Sequence, residues 1–323
     1  MQYCYFKSQP VVSNSDNGSL LSEEGPQPQP FEPLELFNKI LRVDSNVHEN
    51  TDNFTSPIFD NSITGKKKAL IVAVSTDELL SPENDSEILL RLLEWGFDTD
   101  NIRFLGTNIS NGNEYGNEYG NEYGNPTRKN ILEAMKWLVE DPKEGDSFFF
   151  HYSGKGLPEF SIRPSDYDTN GTLKSNDIFN TMVKDLPEKC KLTAIFDCCF
   201  SGGMLGLPYV LVEKNYTIFK LLPQKSTFKF VPNTVCYNQK KRPLKPKANV
   251  IMLAACTSNQ KSIDKLVKER LYGHLTVKFA NLVFSKREIT LAELLNFLRQ
   301  NENNQFPQIF CSHKVNTKNL FKI

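Results

Sequence analysis

Two apolar stretches of this chain run into glycine-rich turns. One reads Phe148-Phe149-Phe150-His151-Tyr152-Ser153-Gly154-Lys155-Gly156, the other Leu192-Thr193-Ala194-Ile195-Phe196-Asp197-Cys198-Cys199-Phe200-Ser201-Gly202-Gly203. A strand that stops at glycines lets the backbone approach a substrate and leaves its amides pointing outward. The two turns set a thiol, Cys199, and an amine, Lys155, at strand ends. A thiol attacks acyl groups once its proton is removed. Taken alone, a cysteine reads as a packing thiol, and Cys190, Cys198 and Cys256 are read that way; for Cys199 the pairing of the motifs argues for chemistry.

The elements that must position these turns alternate. Residues 69–74 form a continuous apolar run, the mark of a strand covered on both faces. A helix follows, with Ser81 as cap, Pro82 at the first helical position, an inward stripe of Ile88, Leu89, Leu92 and Leu93, and an end near Gly96. Further strands fit 102–105, 147–152, 192–196 and 250–254, and 307–311 fits a last, edge strand. Helices fit 127–139, capped by Thr127, then 273–284, and 291–298 behind a capping box of Thr290 and Glu293. Such alternation predicts an α/β fold with a mainly parallel sheet flanked by helices on both faces, and chemistry at the carboxyl ends of the strands.

The 323 residues suffice for one sizeable core with appendages. Residues 1–64 are rich in Ser, Asn, Asp, Gln and Pro and read as a disordered polar leader, with a weak helix near 34–41. Residues 113–124 repeat the tetrad Asn-Glu-Tyr-Gly, a solvated loop expansion that fits no solenoid period. Residues 207–248 carry nine basic residues, among them Lys214, Lys229, Lys241 and Arg242, against the single acid Glu213. They read as a basic linker loop between a large portion, 65–206, and a small one, 249–323; a proteolytic processing segment is the alternative.

Lys plus Arg and Asp plus Glu both total 38, so net charge gives no pull toward nucleic acid or membrane. The seven cysteines show no CxxC pair or His/Cys ligand spacing, which speaks for reduced thiols and against zinc. No basic-then-apolar leader and no apolar run of about 18 residues is present, so a cytoplasmic or nuclear protein is expected. No GxGxxG or Walker-type loop follows the first strand, which disfavours a nucleotide-binding reading.

In this order, the motifs resemble those of the metacaspases, caspase-like cysteine peptidases of fungi, plants and protists, here the fungal type I. The likeness runs from about Lys66 to Ile323 and includes Pro126-Thr127, Trp137-Leu138, Leu207-Pro208-Tyr209, Pro307-Gln308 and Ser312-His313. It implies a caspase-like three-layer sandwich. It also implies that Cys199 is the nucleophile, matching the cysteine of the family's D-[SC]-C-H-S-G, and that Asp85, Ser153 and Asp197 match a substrate pocket for Arg or Lys. Several positions depart from the pattern, among them Pro82, which stands where a cysteine is common. Lys155 stands where H-Y-S-G-H-G has its general base, and Phe200 replaces the histidine after the nucleophile. The family's calcium site is expected to be lost: Gly206 fills an aspartate's place, and Asp166 and Asp168 alone are too few for an ion that takes six or more oxygens.

Amide hydrolysis needs a thiolate to attack and a proton for the departing amine, and an imidazole with pKa near 6.5 supplies both services. An ordinary lysine, with a reference pKa of about 10.4, parts with its proton reluctantly. His151 lies four residues back along its strand, about 13 Å at roughly 3.3 Å per residue, too deep to substitute. The expectation is therefore a pseudopeptidase acting by binding in stress or cell-death proteolysis control. The alternative is a slow endopeptidase cleaving after Arg or Lys with a Cys199/Lys155 pair, since buried lysines do lose their protons and Ser–Lys dyads hydrolyse amides. Expected partners are protein segments bearing Arg or Lys and an active relative of the same family; no cofactor, nucleic acid or membrane is implied, and the chain is expected to be a monomer.

Overall fold

The structure is a computed structural model that describes residues 65–94, 96–106, 124–213, 228–233, 245–267, 269–285, 288–300 and 305–323. The polar leader, the weak helix near 34–41 and nearly all of the tyrosine tetrads lie outside these residues.

Thirteen strands are described in chain order: β1 Lys67–Ala73, β2 Ile102–Gly106, β3 Ser147–Ser153, β4 Gly156–Leu157, β5 Ser161–Ile162, β6 Leu173–Lys174, β7 Lys191–Asp197, β8 Tyr209–Glu213, β9 Phe228–Pro232, β10 Asn249–Ala254, β11 Asp264–Val267, β12 Arg270–Gly273 and β13 Gln308–Cys311. The helices are α1 Ser81–Leu93, α2 Arg128–Leu138, α3 Tyr167–Asn170, α4 Ser175–Met182, α5 His274–Phe284 and α6 Leu291–Arg299.

The main sheet has the order β2-β1-β3-β7-β10-β13-β8-β9. Its first five strands are parallel and the last three antiparallel. The period of two sorts side chains between two cores. Ala69, Ile71, Phe149, Ile195 and Leu253 face α1, α5 and α6. Leu70, Val72, Phe148, Phe150, Phe196 and Met252 face α2 and α4. Each buried large apolar side chain contributes roughly 1.5–3 kcal/mol against the entropy of ordering the chain. The result is a three-layer α/β sandwich with a mainly parallel sheet.

Three expectations are corrected. The 307–311 strand is interior, because β8 pairs with β13 and β9 with β8. That hairpin falls inside the expected basic loop, where the apolar run Tyr209-Val210-Leu211-Val212 outweighs the flanking lysines as a determinant of local structure; residues 214–227 and 234–244 lie outside the description. Ser81 does not cap α1: Leu80 takes the N-cap position with no side-chain hydrogen bond, and the helix ends at Leu93. Thr127 and Thr290 cap as expected, the latter in a capping box with Glu293.

Candidate active site

The parity that sorts the core also aims the site. Ser153 and Asp197 are register partners at the ends of β3 and β7. They share parity with Phe149 and Ile195, so they face α1 and α5. On α1, Asp85 precedes Ile88 and Leu89 by three and four residues and therefore lies on the inward stripe.

The three side chains meet. The Ser153 hydroxyl donates to Asp85 Oδ2 at 2.6 Å, and the Gly273 amide donates to Asp85 Oδ1 at 2.8 Å. Thr276, in the first turn of α5, donates its amide and its hydroxyl to Asp197 Oδ2, each at 2.8 Å. A helix start favours such a carboxylate through its free amides and dipole. Gly273 is where the acids converge: a Cβ there would overlap Asp197 Oδ2 and lie 2.6 Å from Asp85 Oδ2. Both carboxyls are buried. Burial, and then the charge of Asp197, hold the Asp85 carboxyl well above the usual carboxylate range. Burial pushes Asp197 up to about 7, against the hydrogen bonds from Thr276.

Past the acidic pair, the chain turns at Cys199. Cys198 is fully buried, which raises its pKa far above the ordinary thiol value and keeps it protonated. Cys199 is half-buried, and its Sγ lies 3.6 Å from the Ser262 hydroxyl. Phe200 adopts the left-handed conformation, φ 57°, and its amide donates to the Gln260 carbonyl at 2.8 Å. Lys155 is exposed, and its backbone carbonyl accepts from Tyr152 Oη at 3.1 Å and from the Arg163 amide at 3.0 Å. His151 is fully buried, its Nε2 3.0 Å from Thr276 Oγ1, so it serves the rear of the acidic pair and not the thiol. Cys190 and Cys256 are buried, and the described cysteines are free.

The sequence-predicted residues Asp85, Ser153 and Asp197 thus form one cluster, with Cys199 two residues beyond Asp197. Sequence reasoning missed the segment that covers them. In it, Gln260 Oε1 accepts from the Thr257 amide at 3.4 Å and the Phe306 amide at 3.1 Å, and Gln305 Oε1 accepts from the Ile263 amide at 2.8 Å. Those contacts hold Ser262 near the thiol and Asp264 near the acidic pair, where Asp264 raises the pKa of both acids. Polar residues after β10 carry no periodicity, and no signal in the sequence singled them out.

The residues do not fit calcium. Asp166 accepts from the Arg128 amide at 2.7 Å and from Asn170 at 2.8 Å, which commits it to the start of α2 and to α3. Among the described residues no group of three or more His, Cys, Asp or Glu is placed to hold a metal ion. No helix among them is long and apolar enough to cross a membrane.

A caspase-like α/β domain with a thiol beside buried acids is the class that the fold and site define. Residues 67–208 match the family model "Metacaspase, peptidase C14 domain". The chain is 31% identical over 300 residues to Metacaspase-1 of Schizosaccharomyces pombe, an alignment covering 78% of this chain and 68% of that protein. It is 30% identical over 314 residues to Metacaspase-1 of Cryptococcus neoformans var. neoformans serotype D, covering 82% and 66%. Among solved structures, Caspase-1 from Spodoptera frugiperda aligns with TM-score 0.47 and 11% identity over 81% of this chain and 94% of that one. The chain belongs to the metacaspase family of cysteine peptidases.

Proposed function

We propose that this chain is a pseudopeptidase of its family, one that binds Arg- or Lys-bearing protein segments through its acidic pair and does not turn them over. The observation that carries the proposal is the exposure of Lys155 at the position of the family's base. For peptide cleavage the Cys199 sulfur must add to the carbonyl carbon, and the departing amine must receive a proton. A lysine takes the base role where burial strips water from its ammonium, and Lys155 instead stands in solvent. Loss of a general acid/base costs about 10²- to 10⁴-fold, and more when it acts as a unit with the nucleophile.

The acids retain a binding role. Two buried carboxyls without a salt-bridge partner among the described residues make a seat for a guanidinium or ammonium, whose charge offsets the desolvation that raises their pKa values. Binding without turnover fits a protein that sequesters substrates or pairs with an active relative in stress or cell-death proteolysis control, in the cytoplasm or nucleus. The test is equilibrium binding of a fluorescein-labelled peptide ending in Gly-Gly-Arg amide. Saturable binding that Asp85→Asn and Asp197→Asn weaken, with the peptide recovered intact, is the expected result. Binding indifferent to both changes, or release of cleaved peptide, contradicts it.

A further inference from the structure

Behind Asp197 lies a buried chain of hydrogen bonds for which the site chemistry gives no reason. Thr276 Oγ1 is 2.8 Å from Asp197 Oδ2 and 3.0 Å from His151 Nε2. All three side chains are buried. A hydroxyl has one proton. Above about pH 7, where Asp197 has lost its proton, the carboxylate only accepts, so the hydroxyl proton goes to Asp197 and His151 must donate its Nε2–H to the hydroxyl oxygen. The far side of the ring gives the same answer independently. His151 Nδ1 is buried with no hydrogen-bond partner, and a bare lone pair is a less costly orphan there than an N–H.

We propose that His151 and Thr276 are positioning residues for cation recognition: His151, as its Nε2–H tautomer, orients the Thr276 hydroxyl so that its proton is committed to Asp197. The geometry links three elements, since His151 comes from β3, Thr276 from α5 and Asp197 from β7. It gives a reason for a histidine inside an otherwise apolar strand, Phe148-Phe149-Phe150-His151-Tyr152. The inference rests on reading the acidic pair as a seat for a cationic side chain, and its first test does not depend on that reading.

The first test is a two-bond proton–nitrogen correlation spectrum, recorded at about pH 8 where Asp197 is ionised, of the full chain labelled with ¹⁵N-histidine, the His151 signals assigned by their loss in His151→Gln. The expected result is the Nε2–H tautomer; the Nδ1–H tautomer overturns the proposal. The second compares the affinity for the Gly-Gly-Arg peptide of wild type, Thr276→Val and Thr276→Ser. Removing a hydrogen bond to a charged group should weaken binding about tenfold in the valine variant, and serine, which keeps the hydroxyl, should restore it to within about threefold. Equal affinity for wild type and Thr276→Val overturns the positioning role. A wild type that binds no peptide overturns the reading of the acidic pair, and the tautomer still decides the hydrogen-bond chain.

Discussion

Gly156 is packed against Cys199: a side-chain carbon at Gly156 would overlap the Cys199 carbonyl oxygen and lie 2.9 Å from Cys198 Sγ. The turn that ends β3 is thereby pressed onto the turn that ends β7, and the backbone itself brings Lys155 to the neighbourhood of the thiol. Gly156→Ala should destabilise the fold by about 1–3 kcal/mol, the usual cost of overpacking. The check is the shift in urea midpoint, with unchanged slope. An unchanged midpoint would mean that the two turns part without cost.

The acidic pair makes stability depend on pH in a definite direction. Asp197 titrates at about 7 in the fold, against about 3.9 for an aspartate in an unfolded chain. A carboxyl whose folded pKa is raised favours folding fully below the unfolded value, and that contribution is lost as pH rises through the folded one. Asp85 is shifted the same way. Buried His151, held down at about 3, gives the opposite slope below the unfolded imidazole value of about 6.5, so the contribution of the acids is read from the difference between wild type and a variant that lacks one of them. Asp197→Asn, which cannot ionise, should melt above wild type at pH 8, by a margin that shrinks toward pH 4. Binding of the cationic peptide, as proposed, should show the opposite slope and tighten as the acids ionise.

Gln305 is buried, and its Oε1 accepts the Ile263 amide at 2.8 Å, between Ser262 and Asp264. Gln305→Ala should cost about 1–2 kcal/mol, because it removes a part-buried hydrogen bond and empties a buried side-chain position. Hydrogen exchange at the Ile263 amide should accelerate selectively. Unaltered protection at that amide would show that another group holds the segment in place.

Much of this was legible in the sequence because two periodicities carry it. Apolar runs such as 69–74 and 192–196 name covered strands, and the stripe Ile88, Leu89, Leu92 and Leu93 names a helix face; together they place Asp85, Ser153 and Asp197 on one side of the sheet. The edge hairpin of β8 and β9 escaped because its short apolar run is embedded among lysines. Ser262, Asp264 and Gln305 escaped for a different reason. They act through single long-range hydrogen bonds, and residues in irregular segments leave no period to read. His151 reads as deep in its strand and the structure buries it fully, but its bond to Thr276 links residues 125 apart in sequence, a pairing no local pattern announces.

The central claim is that the thiol survives without a working base. The direct test is steady-state cleavage of a fluorogenic Arg substrate at neutral pH by wild type, Cys199→Ala and Lys155→His. Wild type at the Cys199→Ala baseline, with turnover appearing in Lys155→His, is the predicted result. Wild-type cleavage that Cys199→Ala abolishes would make the chain a working peptidase and contradict the account.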